Sequence, residues 1–167
     1  MSTLHIGFIG LGLIGGSIAK ALKKNTPDIR ITAYDVNTDT LKLAEEEGIA
    51  DATTSQINEA FSDCDYIFLC APVQKNDANL LAVKNIISEN CTLTDVGSVK
   101  TNIHEHIKNA GLEKQFIGGH PMAGSERFGY QNSKASLLEN AYYILTPTPE
   151  TSDDKLNAYK GLVIKTG

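Results

Sequence analysis

Gly10, Gly12 and Gly15 form a Gly-x-Gly-x-x-Gly loop, and the chemistry such a loop suits is the seating of a pyrophosphate. The first glycine permits a tight turn, the second leaves room for phosphate against the backbone, and the third lets the next helix pack closely on a strand. The amides of Leu13 and Ile14, at the positive end of that helix, would then face the ligand. Asp35 follows Gly15 by twenty residues, the spacing at which a carboxylate holds the adenosine ribose hydroxyls; the plainer reading of Asp35 is a strand-end turn residue. A carboxylate about 4 Å from a 2′-phosphate would repel it by roughly 4 kcal/mol per unit charge at an effective dielectric of 20. Val36 and Asn37 offer no guanidinium to offset that, so NAD is expected in preference to NADP.

Acid–base chemistry is offered by His120, which stands among Gly118, Gly119 and Pro121. The proline keeps the histidine extended, and imidazole is the side chain that changes charge near neutral pH. A proton acceptor for a substrate hydroxyl is the functional reading, against a hydrogen-bonded structural histidine. Two further loops carry unusual residues. In Asp95-Val96-Gly97-Ser98-Val99-Lys100, Gly97 permits close approach of a ligand and Ser98 both donates and accepts; Ser98 is also a good N-cap for a helix starting at Lys100. In Cys70-Ala71-Pro72-Val73, Ala71, Pro72 and Val73 either line the cofactor's path or simply end a strand.

These loops need a scaffold that brings strand ends together, and the hydrophobic pattern supplies one. Leu4–Ile9, Arg30–Tyr34, 49–53, 65–70, 91–96 and 115–118 read as strands. Helices are expected at 13–24, 38–47, 56–61, 74–88 and 100–110, with Ile14, Ile18, Ala21 and Leu22 recurring at a helical period. This alternation predicts an α/β fold with a doubly wound, mainly parallel sheet, a Rossmann-type dinucleotide-binding domain whose ligands gather at the carboxyl ends of the strands. Past Gly119 the alternation loosens. Residues 120–136 read as a long shaped loop, 142–146 as a strand, 153–160 as a helix and 162–165 as a last strand. A stop just after that strand points to a longer natural protein cut near a domain boundary.

The 167 residues are 41% hydrophobic, enough for one core, and a single domain over 1–167 is expected. A net charge of −5 and a longest basic run of Lys23-Lys24 argue against a nucleic-acid partner. No apolar stretch approaches the roughly 20 residues of a membrane span, and no basic segment precedes the first apolar run, so a cytoplasmic protein is expected. Cys64, Cys70 and Cys91 lack metal or redox spacing and read as buried thiols. His104 and His106 point to different sides of their helix, and no metal is expected.

Five segments together resemble the nucleotide-binding domain of prephenate dehydrogenases and their arogenate-using relatives, enzymes of tyrosine biosynthesis. They are Gly10–Ser17, Asp35, Asp95–Lys100, Gly119–Glu126 (Gly-His-Pro-Met-Ala-Gly-Ser-Glu) and Asn140–Pro147. The resemblance implies hydride transfer from the hydroxyl-bearing ring carbon of prephenate to NAD, with loss of the ring carboxylate as carbon dioxide, giving 4-hydroxyphenylpyruvate. It implies that His120 takes the hydroxyl proton and that Ser98 holds the imidazole and the nicotinamide region in register. Ser125 would position substrate, and Glu126 would stand at the cleft mouth. Family members continue into a helical domain that makes a homodimer and clamps the substrate carboxylates, so this chain alone is expected to bind NAD and turn over poorly. A β-hydroxyacid dehydrogenase-like reductase and a non-enzymatic NAD-sensing domain share the glycine loop. The first relies on a later lysine segment with no counterpart here, and the second has no use for the Gly-Gly-His-Pro loop.

Overall fold

A computed structural model describes residues 3–167; for Val73, Gln74, Asn76 and Asp77 it describes the backbone alone. Five short strands form a parallel sheet: β1 (His5–Ile9), β2 (Arg30–Tyr34), β3 (Ala52–Thr54), β4 (Tyr66–Leu69) and β5 (Thr92–Asp95), in the order β3-β2-β1-β4-β5. β1 and β5 are buried along their whole length, as expected for strands covered on both faces. The order reverses beside β1, and in such sheets a crevice opens at the carboxyl ends where it does.

Successive side chains send the two faces into two cores. On one face Ile6, Phe8 and Phe68 meet Ile18 and Leu22 of α1 (Leu13–Asn25), Leu41 and Ala44 of α2 (Thr38–Glu46) and Tyr159 and Leu162 of α5 (Asp153–Ile164). Phe8 and Phe68, paired across the ladder, stack with ring centroids 5.1 Å apart. On the other face Ile9, Ile67 and Leu69 pack on Leu80 and Val83 of α3 (Val73–Lys84) and on Ile103 and Ile107 of α4 (Thr101–Ala110). Among the described residues no helix is long and apolar enough to cross a membrane.

Three expectations are corrected. The strand expected at 115–118 reaches the parallel sheet only through a bridge between Leu93 and Phe116; it then continues as β6 (Ile117–Pro121), which pairs antiparallel with β7 (Tyr143–Pro147). The last strand expected at 162–165 does not form: α5 runs unbroken to Ile164, because Leu156, Tyr159, Leu162 and Val163 follow a helical period that outweighs a four-residue apolar run. The helix expected at 56–61 is one 3₁₀ turn, Glu59–Phe61. The long loop after β6 is strapped to α1 by 3₁₀ turns at Tyr130–Asn132 and Ala135–Leu138. There the Tyr130 hydroxyl donates to Glu47 at 2.7 Å, Lys20 pairs with Glu47 at 3.0 Å, and Ser17 Oγ accepts from the Lys134 amide at 3.0 Å.

Candidate active site

The β1–α1 turn gives each glycine a separate reason to be glycine. Gly10 sits at φ +98°, where L side chains are strained, and a Cβ there would lie 2.7 Å from the Ala71 nitrogen. A Cβ on Gly15 would lie 2.6 Å from the Gly10 carbonyl oxygen and 2.9 Å from Cys70 Cβ, so Gly15 sets how closely α1 approaches the sheet. At Gly12 a Cβ would meet no atom of the described residues within 4 Å. Gly12 is the N-cap of α1; no side chain caps the helix, and its first turn holds no acidic residue. The amides of Leu13 and Ile14 are thus left at the mouth of the cleft, the arrangement that receives an anion. Asp35 follows β2 directly, accepting the Leu11 amide at 2.7 Å on one oxygen and the Asn37 amide at 2.8 Å on the other.

A cleft of about 650 Å³ opens over this turn. Gly10, Gly12, Leu13, Ile14, Asp35, Ala71, Pro72, Gly97 and Ser125, all read from the sequence as candidates, lie on its wall. So do Lys75, Asn79 and Arg127, which sequence reasoning passed over. Gly15 lies behind the wall, packed on Gly10 and Cys70. Val73 opens α3, and its side chain lies outside the described residues. The absence of any side chain over Gly12 among the described residues, the uncapped helix start and the Asp35 carboxylate together fit a dinucleotide with its pyrophosphate above Gly12.

His120 lies on β6, half-buried, next to the loop that follows β5. Its Nδ1 is 3.4 Å from the Val96 carbonyl oxygen, and Val96 belongs to the cleft wall. A carbonyl can only accept, so this contact is a hydrogen bond only with a proton on Nδ1, which in the neutral ring leaves Nε2 as the lone-pair acceptor. His120 itself is not part of the cleft wall, and neither are Ser98 and Glu126, which are exposed. Ser98 is not the N-cap of α4: that position falls to Lys100, without a side-chain cap, and the helix begins at Thr101. Ser125 Oγ accepts the Arg127 amide at 3.0 Å, which turns the loop that carries Glu126.

Asp95, buried, and Lys100, half-buried, form an ion pair beside this loop, and no catalytic pattern in the sequence marks it. Asp95 is 2% exposed; Lys100 Nζ donates to both of its carboxylate oxygens at 2.7 Å and also to the Gly119 carbonyl. Burial pulls the Lys100 ammonium below its ordinary pKa, while Asp95 acts in the opposite sense. The available signal is a carboxylate closing a buried strand with a lysine five residues on. The three thiols are pushed up by burial, Cys91 to about 12 and the other two further; Cys64 and Cys91 are buried, and Cys70 is half-buried against the cleft.

Residues 18–167 match the family model described as "Prephenate dehydrogenase, nucleotide-binding domain". A curated prephenate dehydrogenase of Bacillus subtilis is 35% identical over 156 residues, covering 92% of this chain and 42% of that protein. Among solved structures, prephenate dehydrogenase from A. aeolicus in complex with hydroxyphenyl propionate and NAD+ is 36% identical with a TM-score of 0.92, over 100% of this chain and 58% of that one. Synechocystis arogenate dehydrogenase is 32% identical with a TM-score of 0.91, over 98% and 57%. The chain therefore spans about half the length of the relatives it matches.

Proposed function

The chain belongs to the family of prephenate dehydrogenase nucleotide-binding domains, and from that premise we propose that it is the NAD-binding, proton-accepting part of an enzyme that oxidatively decarboxylates prephenate to 4-hydroxyphenylpyruvate. The observation that carries the reading is an open glycine-lined cleft ending in Asp35, with an imidazole beyond its wall whose Nδ1 lies 3.4 Å from the carbonyl of Val96, a residue of that wall. In this reading the pyrophosphate lies against Gly12 and the amides of Leu13 and Ile14. Asp35 takes the ribose hydroxyls, and Ala71, Pro72, Val73 and Gly97 line the path toward the nicotinamide. Lys75 and Arg127 add positive charge to a cleft whose ligands are anionic. When bound, NAD supplies the acceptor for the hydride that leaves the substrate carbon.

His120 Nε2 accepts the proton of the ring hydroxyl as that carbon becomes a carbonyl; the carboxylate leaves as carbon dioxide, its bonding electron pair stays in the ring to complete aromatisation, and the oxygen, now a phenolate, takes the proton back. Ser98 orders the nicotinamide region, Ser125 positions substrate, and Glu126 guards the cleft mouth. The groups that read the substrate's two carboxylates, and a homodimer interface, belong to the remaining length of the enzyme. The likeness to an arogenate dehydrogenase makes arogenate the alternative substrate.

The test is NADH formation by a full-length protein carrying this domain, with prephenate and with arogenate in parallel. Turnover of prephenate is expected, and His120→Asn should abolish most of it while NAD affinity stays nearly unchanged. Activity toward arogenate alone would reassign the substrate, and an active His120→Asn enzyme would remove His120 from the chemistry.

A further inference from the structure

We propose that Asp95 and Lys100 are a positioning pair that sets the tautomer of His120, keeping the proton on Nδ1 and leaving Nε2 bare. The inference rests on the reading of His120 as proton acceptor and extends it to two residues that make no hydrogen bond to the imidazole. Its starting point is the peptide between Val96 and Gly97. That unit is planar, so its carbonyl and its N–H turn together. The Gly97 N–H donates to Asp95 Oδ2 at 3.1 Å, and the carbonyl on the opposite side faces His120 Nδ1 at 3.4 Å. The second contact is long, and small rotations of the plane decide whether it is made. The grip of Asp95 on the N–H therefore holds the carbonyl toward the ring.

The same pair fixes the other side of the contact. Asp95 Oδ1 accepts the Gly119 N–H at 3.2 Å, and Lys100 Nζ donates to the Gly119 carbonyl. Both polar groups of the residue before His120 are thus held by one ion pair, which also holds the residue before Ser98. Lys100 has a further task. It neutralises a carboxylate that would otherwise be buried without a counter-charge, and its two 2.7 Å bonds fix which way that carboxylate faces. Buried ion pairs contribute little net stability on average; this one joins the β5–α4 loop to β6 at the point where the candidate base emerges.

The tautomer is read on this chain by NMR of ¹⁵N-labelled histidine, at a pH where His120 is neutral and with no substrate present. Wild type is expected to show the Nδ1–H form; an Nε2–H form would overturn the proposal without any variant. Lys100→Met and the near-isosteric Asp95→Asn should each move His120 to a mixture of tautomers, while His5 at the far end of β1 keeps its shifts. Lys100→Arg should restore the wild-type spectrum. Thermal unfolding and NADH titration establish that the variants are folded. An unchanged His120 in folded variants would overturn the proposal, and loss of folding in both would reduce the pair to a structural brace and overturn it equally. In a full-length enzyme, Lys100→Met should lower kcat about ten- to a hundredfold, the usual effect of losing an orienting partner, with KM and NADH affinity within about twofold. An enzyme inactive on both prephenate and arogenate would count against the functional reading, whereas the tautomer result would stand by itself.

Discussion

Replacing Gly12 or Gly15 by alanine adds the same methyl group to the same turn, yet the two variants should fail in opposite ways. At Gly15 the new Cβ would sit 2.6 Å from a backbone oxygen and 2.9 Å from Cys70 Cβ, with no flexible side-chain end to swing aside. Overpacking of this kind costs about 1–3 kcal/mol, and the backbone contact puts Gly15→Ala in the upper half of that range. For a chain of this size each kcal/mol moves the melting temperature by about 2–4 °C, so a fall of about 4–12 °C is expected. At Gly12 the new methyl meets no atom of the described residues within 4 Å, and φ −78°, ψ −155° is ordinary extended backbone. Stability should stay within about 0.5 kcal/mol of wild type. The methyl would, however, occupy the space assigned to the pyrophosphate and push it off the α1 amides. Losing one hydrogen bond to a charged group, about 1.5–3 kcal/mol, corresponds to an NADH affinity about 10- to 100-fold weaker. Thermal unfolding by circular dichroism and titration by nicotinamide fluorescence read the two effects independently. Wild-type NADH affinity in Gly12→Ala would refute the placement of the pyrophosphate, and an unchanged melting temperature in Gly15→Ala would refute the packing account.

Asp35→Asn should raise the affinity for NADPH relative to NADH by more than about tenfold, because a repulsion of roughly 4 kcal/mol at 4 Å, partly screened by solvent, is removed; an unchanged ratio in parallel fluorescence titrations would reject the carboxylate as the discriminator. Stability should fall in two stages on acidification, followed by urea unfolding at a series of pH values. Burial, helped by Arg30, holds His5 below its ordinary 6.5, so the unfolded chain takes up a proton first and stability is lost as pH falls from 6.5 through the folded value. At Glu47 burial acts upward, but hydrogen bonds from Tyr130 and Lys20 hold the carboxyl below its ordinary 4.5, and at Asp63 the Arg30 guanidinium overcomes a similar upward push; their stabilisation is lost below about 4.5 as those carboxylates protonate. His5→Gln should flatten the first stage alone, and a stage that persists in that variant would assign it elsewhere. In native protein Cys64 and Cys91 should resist iodoacetamide at pH 8, since both are buried and burial raises both thiols and only the thiolate attacks; rapid labelling of either in the folded chain would contradict that burial.

The nucleotide-binding half of the fold was legible because its signals are local. A strand, three glycines and a helix period lie within one stretch, and Arg30–Tyr34 came out with its observed bounds. Where the pattern was short or the partner remote, legibility failed. Leu162–Lys165 has the apolar density of a strand, but Leu162 and Val163 continue the helical phase of Leu156 and Tyr159, visible only when the run is read together with the residues before it. The sixth strand was visible as a strand, but its partner β7 lies more than twenty residues further on. Nothing in Gly118-Gly119 tells a parallel edge from an antiparallel hairpin.

The candidate site divides along a different line, between chemistry written in side chains and chemistry written in the backbone. Gly12, Asp35 and His120 can be named from sequence because their residue types are unusual where they stand. Ser98 stands out for the same reason, since a hydroxyl in a loop near a histidine is an obvious partner. Yet the group that faces His120 Nδ1 is the Val96 carbonyl, and every residue carries a carbonyl, so no letter marks the one that matters. What singles out this carbonyl is the carboxylate that grips the N–H across the same peptide, and the lysine whose two bonds aim that carboxylate. An orienting role of this kind becomes visible only once a peptide plane has a direction. It follows that exchanging Val96 for another apolar residue should leave the His120 tautomer unchanged, whereas changing Asp95, which makes no hydrogen bond to the ring, should not.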